Sequence, residues 1–115
     1  VRRGDLYLVD LDPARGSESD KARPAIVVSN DAANRMAERN SRGVVTVVPV
    51  TSNVARIYPF QVLLAADDSG LDANSKAQAE QVRSVDCGRL RRRLGALRPG
   101  VLQKLDEALR VHLSL

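Results

Sequence analysis

The chain contains no tryptophan, one phenylalanine and two tyrosines among its 115 residues. Its interior therefore has to be built from Val, Leu, Ile and Ala, and a ligand surface made mainly of aromatic stacking platforms is argued against. The single histidine, His112, excludes a pair of imidazoles that would divide acid and base roles. The single cysteine, Cys87, excludes an intrachain disulfide, and together with His112 it falls short of a soft-metal ligand set. No apolar run approaches the ~20 residues of a membrane span. The N-terminal stretch alternates charged and apolar residues instead of carrying a signal-peptide core. A cytoplasmic protein, with no membrane partner, is the expectation.

What is present fits one compact domain spanning residues 1–115, large enough for one core and too small for two. The net charge of +4 is unevenly placed. Residues 1–40 carry seven basic and seven acidic residues, residues 41–82 three and four, and residues 83–115 eight and three. The surplus thus falls in the last third, where Arg89, Arg91, Arg92 and Arg93 cluster. Such a cluster suits phosphates or an acidic protein, but an arginine run on an exposed helix is more often simply solvated.

Asp5 to Leu11 reads as a strand with Tyr7, Val9 and Leu11 on one face and Leu6 and Leu8 on the other. Asp12-Pro13-Ala14-Arg15-Gly16-Ser17 breaks it. Ala25 to Val28 reads as a short buried strand, and Ser29-Asn30-Asp31 offers caps for a helix running to Arg39. Val44 to Val50 is the clearest strand, with Thr51 at its end. Phe60 to Leu64 is a further strand, closed by the turn residues Asp67-Asp68-Ser69-Gly70. Ser75 to Val82 is unusually polar and small for a strand. Asp86 is expected to cap a short helix reaching Arg93, with an edge strand over Leu94 to Leu97. Pro99 suits the first turn of a last helix, whose apolar face takes in Val101, Leu102, Leu105, Ala108, Leu109, His112 and Leu113. His112 is accordingly read as a packed or interface residue. Short strands, turns and small helices together predict a mainly β fold, a compact barrel with appended helices.

Two polar residues stand where apolar runs meet loops and a side chain can leave the core for a ligand: Arg23, before Pro24, and Thr51, before Ser52. Alone, each has an ordinary explanation, since an arginine before proline is usually a surface residue and a threonine closing a valine-rich strand usually just suits the strand. Their weight comes from joint occurrence with Arg3-Gly4-Asp5-Leu6-Tyr7, Gly16-Ser17-Glu18, Val48-Pro49-Val50-Thr51-Ser52-Asn53 and Glu80-Gln81-Val82-Arg83. In that order and over nearly its full length, the chain resembles the MazF/PemK-type toxins, small endoribonucleases of bacterial toxin–antitoxin pairs.

The resemblance implies an SH3-like small β-barrel of the CcdB/MazF type with a C-terminal helix. It implies a sequence-specific, metal-independent endoribonuclease that needs no cofactor and cleaves single-stranded RNA to 2′,3′-cyclic phosphate and 5′-hydroxyl ends. It also implies a homodimer and a cognate MazE-like antitoxin. Arg23 and Thr51 match the catalytic pair, and Ser17, Asn53 and Gln81 match RNA-binding positions. Arginine suits a dianionic phosphorane because its fork makes two parallel hydrogen bonds. Thr51 can add one more from a stiff β-branched side chain. An arginine stays charged in proteins, so Glu18 and Glu80, which adjoin the matching motifs, are the candidate general bases by residue type. Lys76-Ala77-Gln78-Ala79 departs from the more apolar pattern of many relatives. Two further readings are a CcdB-like poison of DNA gyrase, disfavoured by a C-terminal helix that lacks tryptophan, and an RNA-binding barrel without turnover.

Overall fold

The structure, a computed structural model, describes residues 1–11 and 22–115, so the loop candidates Ser17 and Glu18 lie outside the described residues. Among the described residues seven strands and three helices follow in the order β1 (Asp5–Asp10), β2 (Ala22–Val27), α1 (Asp31–Asn40), β3 (Val44–Thr51), β4 (Gln61–Leu64), α2 (Ala66–Ser69), β5 (Ser75–Gln78), β6 (Arg83–Asp86), β7 (Leu90–Ala96) and α3 (Pro99–Leu113). Short 3-10 turns cover Ala79–Gln81 and Cys87–Arg89. The described pairings are antiparallel and run β4-β5-β3-β2-β1-β7, with β6 also beside β3. The outer strands β4 and β7 share no ladder among the described residues. The end of α2, which follows β4, instead comes close to β7: a Cβ on Gly95 would lie 3.0 Å from the Ser69 carbonyl oxygen, and one on Gly70 3.2 Å from that of Leu94. A Cβ at either position would crowd the facing carbonyl, and Gly70 also ends α2 in the left-handed region.

The period-2 alternation of the strands divides the apolar residues between two clusters. Leu6, Ile26, Val48 and Val50 join Leu64, Leu105 and Ala108 on the face covered by α3. Val9, Val27, Val45, Val47 and Val85 join Ala37 of α1 on the other. A helix on each side explains why β2 and β3 read as unbroken apolar runs instead of alternating ones. Asn30 caps α1 by accepting the Ala33 N–H at 2.8 Å. The fully buried Asn34 is held by Ser29, whose main-chain carbonyl accepts from its side-chain amide at 2.9 Å.

Three sequence expectations are corrected. The helix expected from Asp86 to Arg93 is a single 3-10 turn followed by β7. Asp86 does cap, accepting the Gly88 N–H at 2.8 Å, but Leu90 to Arg93 then pairs with β1. Carboxylates of β1 hold its arginines, with Arg91 on Asp10 at 2.9 Å and Arg93 on Asp5 at 3.4 Å. The second correction concerns α3, where Leu105 and Ala108 are buried and Val101, Leu102 and Leu109 pack beside them. His112 and Leu113 are exposed, so the apolar face stops a turn early. Third, the polar stretch from Ser75 is a strand only to Gln78, and Ser75, Lys76 and Ala77 are all buried in it. Lys76 can be buried because its Nζ donates to the Arg56 carbonyl at 2.7 Å, which ties β5 to the loop between β3 and β4.

Candidate active site

Strands β2 and β3 pair at Val27 with Val47, Ile26 with Val48 and Ala25 with Pro49, and there their ladder ends. Both strands continue beyond it toward different neighbours. β2 stays on β1 through Arg23 with Val9 and Ala22 with Asp10, while Val50 and Thr51 of β3 turn to Ala77 and Lys76 of β5. The two strands therefore part, and a groove opens between them. Arg23 and Thr51 each stand two residues past the last β2–β3 pair, on the two strands that border the opening.

That groove has a volume of about 750 Å³, and its lining includes Arg23, Thr51, Ser52, Asp72, Arg92 and Arg93. Arg23 is exposed and has no ion-pair partner among the described residues. Thr51 is half-buried, and its Oγ1 accepts the Asn53 N–H at 3.2 Å. This bond fixes the side chain while leaving the hydroxyl proton to be donated into the groove. Asn53 in turn accepts the Ala55 N–H at 3.2 Å, so the two predicted residues form one short turn at the end of β3.

The groove also holds two arginines that the sequence had placed on a helix. Leu8 of β1 pairs with Pro24 on one side and Arg92 on the other. Arg92 thus lies two strand spacings from Pro24, about 9–10 Å, and it is exposed without an ion-pair partner among the described residues. Asp72, on the loop after α2, is a carboxylate of the lining that sequence reasoning missed. Loop composition gave no signal for it. Arg92 and Arg93 carried one, the charge surplus itself, which was misread because the run was assigned to a helix.

Glu80 and Gln81 sit on the 3-10 turn between β5 and β6 and are not part of the groove lining. Gln81 is exposed. Glu80 is turned to another purpose: its Oε2 accepts from the side-chain amide of the buried Gln61 at 2.6 Å.

Arg23 and Thr51, far apart in the sequence, thus line one cationic groove of a small β domain. Against known families, residues 2–113 match the PemK-like, MazF-like toxins of type II toxin–antitoxin systems. The chain belongs to that family. It is 59% identical over 115 residues to endoribonuclease MazF9 of Mycobacterium tuberculosis, covering 100% of this chain and 98% of the relative. It is 34% identical to endoribonuclease EndoA of Bacillus subtilis over 100% of this chain and 96% of that one. A mycobacterial endoribonuclease solved in complex with its cognate antitoxin superposes with a TM-score of 0.78 at 27% identity, covering 100% of this chain and 96% of the other. The chain is a MazF-type toxin endoribonuclease, and its mainly β fold with a C-terminal helix is that of the family.

Proposed function

We propose that this toxin cuts single-stranded RNA at a short sequence, without a metal, by attack of a ribose 2′-hydroxyl on its own phosphate. The 5′-oxygen of the next nucleotide leaves, giving a 2′,3′-cyclic phosphate and a 5′-hydroxyl. The observation that supports this reading is the parting of β2 and β3, beside which Arg23, Thr51, Arg92 and Arg93 line one groove. Transesterification by the 2′-hydroxyl needs a proton acceptor, stabilisation of the phosphorane and a proton for the leaving oxygen. Arg23 supplies two parallel donors to the non-bridging oxygens and assists the departing 5′-oxygen, and Thr51 adds a third donor from a fixed position. Arg92 and Arg93 draw the neighbouring phosphates by charge. Ser17, Asn53 and Gln81 are assigned to RNA contacts, of which Asn53 lies beside Thr51.

The acceptor of the 2′-hydroxyl proton is assigned to a carboxylate. Asp72 lines the groove, Glu18 precedes Arg23 by five residues, and Glu80 is engaged with Gln61. Asp72→Asn, Glu18→Gln and Glu80→Gln separate them, because loss of the base lowers the rate more than about tenfold, about 1.4 kcal/mol. Three variants that each stay within tenfold would remove a carboxylate base from the mechanism.

The reading also assigns two protein partners. One is a cognate MazE-like antitoxin with an acidic and apolar segment, supported by the bound antitoxin of the mycobacterial neighbour and by the cationic groove. The other is a second copy of the chain, for which exposed Met36 and Val44 offer apolar surface. The test of function is incubation of purified protein with a long, weakly structured RNA in EDTA, followed by mapping of new 5′ ends and detection of cyclic phosphate. Discrete cuts after one short sequence are expected. No cutting by folded protein would move the weight to gyrase poisoning or to RNA binding without turnover.

A further inference from the structure

The loop between β3 and β4 carries an arrangement that the catalytic pair does not use. Two of the three aromatic side chains in the protein are stacked there, Tyr58 on Phe60, with ring centroids 5.3 Å apart and planes 1° from parallel. The Arg56 guanidinium lies over the Tyr58 ring, its carbon 5.5 Å from the Tyr58 centroid and one nitrogen donating to the Tyr58 hydroxyl at 3.2 Å. Phe60 covers one face of the tyrosine, and Tyr58 still remains 41% exposed. Ile57 and Val54 on the same loop are exposed as well.

An apolar ring left in water costs free energy, and an exposed loop normally lets it fold away. Here the backbone is pinned so that it cannot. The buried Gln61 accepts the Tyr58 N–H through its side-chain oxygen at 3.1 Å, and its main-chain N–H donates to the Tyr58 carbonyl at 2.9 Å. The side-chain nitrogen of Gln61 donates to Glu80 at 2.6 Å, fixing its orientation from the far side. Lys76, itself 8% exposed, donates to the Arg56 carbonyl at 2.7 Å. Two buried polar side chains, backed by Glu80, thus hold a single aromatic residue at the surface. They hold it on the loop whose first residue, Ser52, lines the groove.

We propose that Tyr58, backed by Phe60 and topped by the Arg56 guanidinium, is a stacking platform for one base of the RNA substrate, on the loop that leaves the Arg23–Thr51 groove at Ser52. A flat ring with a rigid backing and a neighbouring cation is the chemistry that grips an unstacked base, and every base has a face to offer it. In this arrangement Glu80 and Gln61 are positioning residues for the platform. This inference rests on the RNA-cleaving reading of the groove.

The test compares wild type, Tyr58→Ala, Tyr58→Leu and Tyr58→Phe on an RNA oligonucleotide carrying the mapped cut site. In parallel, binding is measured to fully 2′-O-methylated RNA of random sequence, which cannot be cut. Loss of a stacked base is worth about 1–3 kcal/mol, so KM for the cut RNA and Kd for the blocked RNA should rise about 5- to 150-fold in the Ala and Leu variants. Their kcat should stay within about twofold, base preference should relax at one position, and Tyr58→Phe should match wild type. The Leu variant keeps apolar bulk and guards against simple loss of folding, which circular dichroism checks. Ala and Leu variants with wild-type KM, Kd and cut-site profile would overturn the platform while leaving the nuclease intact, and would hand the exposed loop to a protein partner. Tyr58-dependent binding by a protein that never cuts would do the reverse, keeping the platform and removing the nuclease.

Discussion

Arg23→Ala should lower kcat for RNA cleavage by about 10³-fold, roughly 4 kcal/mol of transition-state stabilisation, while leaving stability within about 0.5 kcal/mol. The asymmetry follows from position. The side chain is exposed and has no ion-pair partner among the described residues, so the folded state loses little with it. The phosphorane, in contrast, loses a full charge and two aligned donors where negative charge is greatest. Arg23→Lys keeps the charge but not the fork, and it should recover less than about tenfold of the loss. Arg92→Ala supplies the comparison within the same groove. About two strand spacings away, Arg92 is assigned to a neighbouring phosphate, so its removal should raise KM, flatten the dependence of log affinity on log salt by about 0.7, and spare kcat. Single-turnover kinetics over a salt series reads both quantities. Equal losses of kcat in the two variants would mean that the groove works through bulk charge alone, and the special place given to Arg23 would fall.

The sequence disclosed the residues more readily than their arrangement. Val44 to Val50 read as the clearest strand, Pro99 suited the first turn of a helix, and Asn30 was among the three residues proposed to cap α1; the structure agrees in each case. Arg23 and Thr51 were legible because motifs flank them. That they line one groove was not, since it depends on where the β2–β3 ladder ends, and register is hard to read when both faces of a strand are already apolar. The arginine run from Arg91 to Arg93 failed for a related reason. A capping aspartate and three helix-tolerant arginines describe a helix locally, whereas Asp5 and Asp10, more than 80 residues earlier in the chain, pair with Arg93 and Arg91 and favour the strand. Lys76 misled in the opposite direction. Its polarity argued against a buried strand until a carbonyl 20 residues away, that of Arg56, satisfied it. The aromatic count was read correctly, but its implication was not followed far enough, because two of three rings placed together make one platform where three scattered rings make none.

Thr51→Val should lower kcat by about 10²-fold with little change in KM, since it removes one donor to the developing charge and almost no volume. Valine keeps the β-branch, so β3 should hold its shape. The bond from the Asn53 N–H goes with the hydroxyl, and that amide lies at an exposed turn where water replaces the lost acceptor. Thr51→Ser restores the hydroxyl without the branch that restricts its rotamer, and it should fall within about tenfold of wild type. The decisive quantity is the double variant with Arg23→Ala. If both side chains hold the same phosphorane, the first loss already misplaces the charge that the second would stabilise, and the combined loss should be smaller than the product of the single losses. Losses that multiply would place Arg23 and Thr51 on different phosphates, and a Thr51→Val enzyme with wild-type kcat would confine the threonine to its turn. Either result would leave the groove with its arginines and take the shared phosphate from its centre.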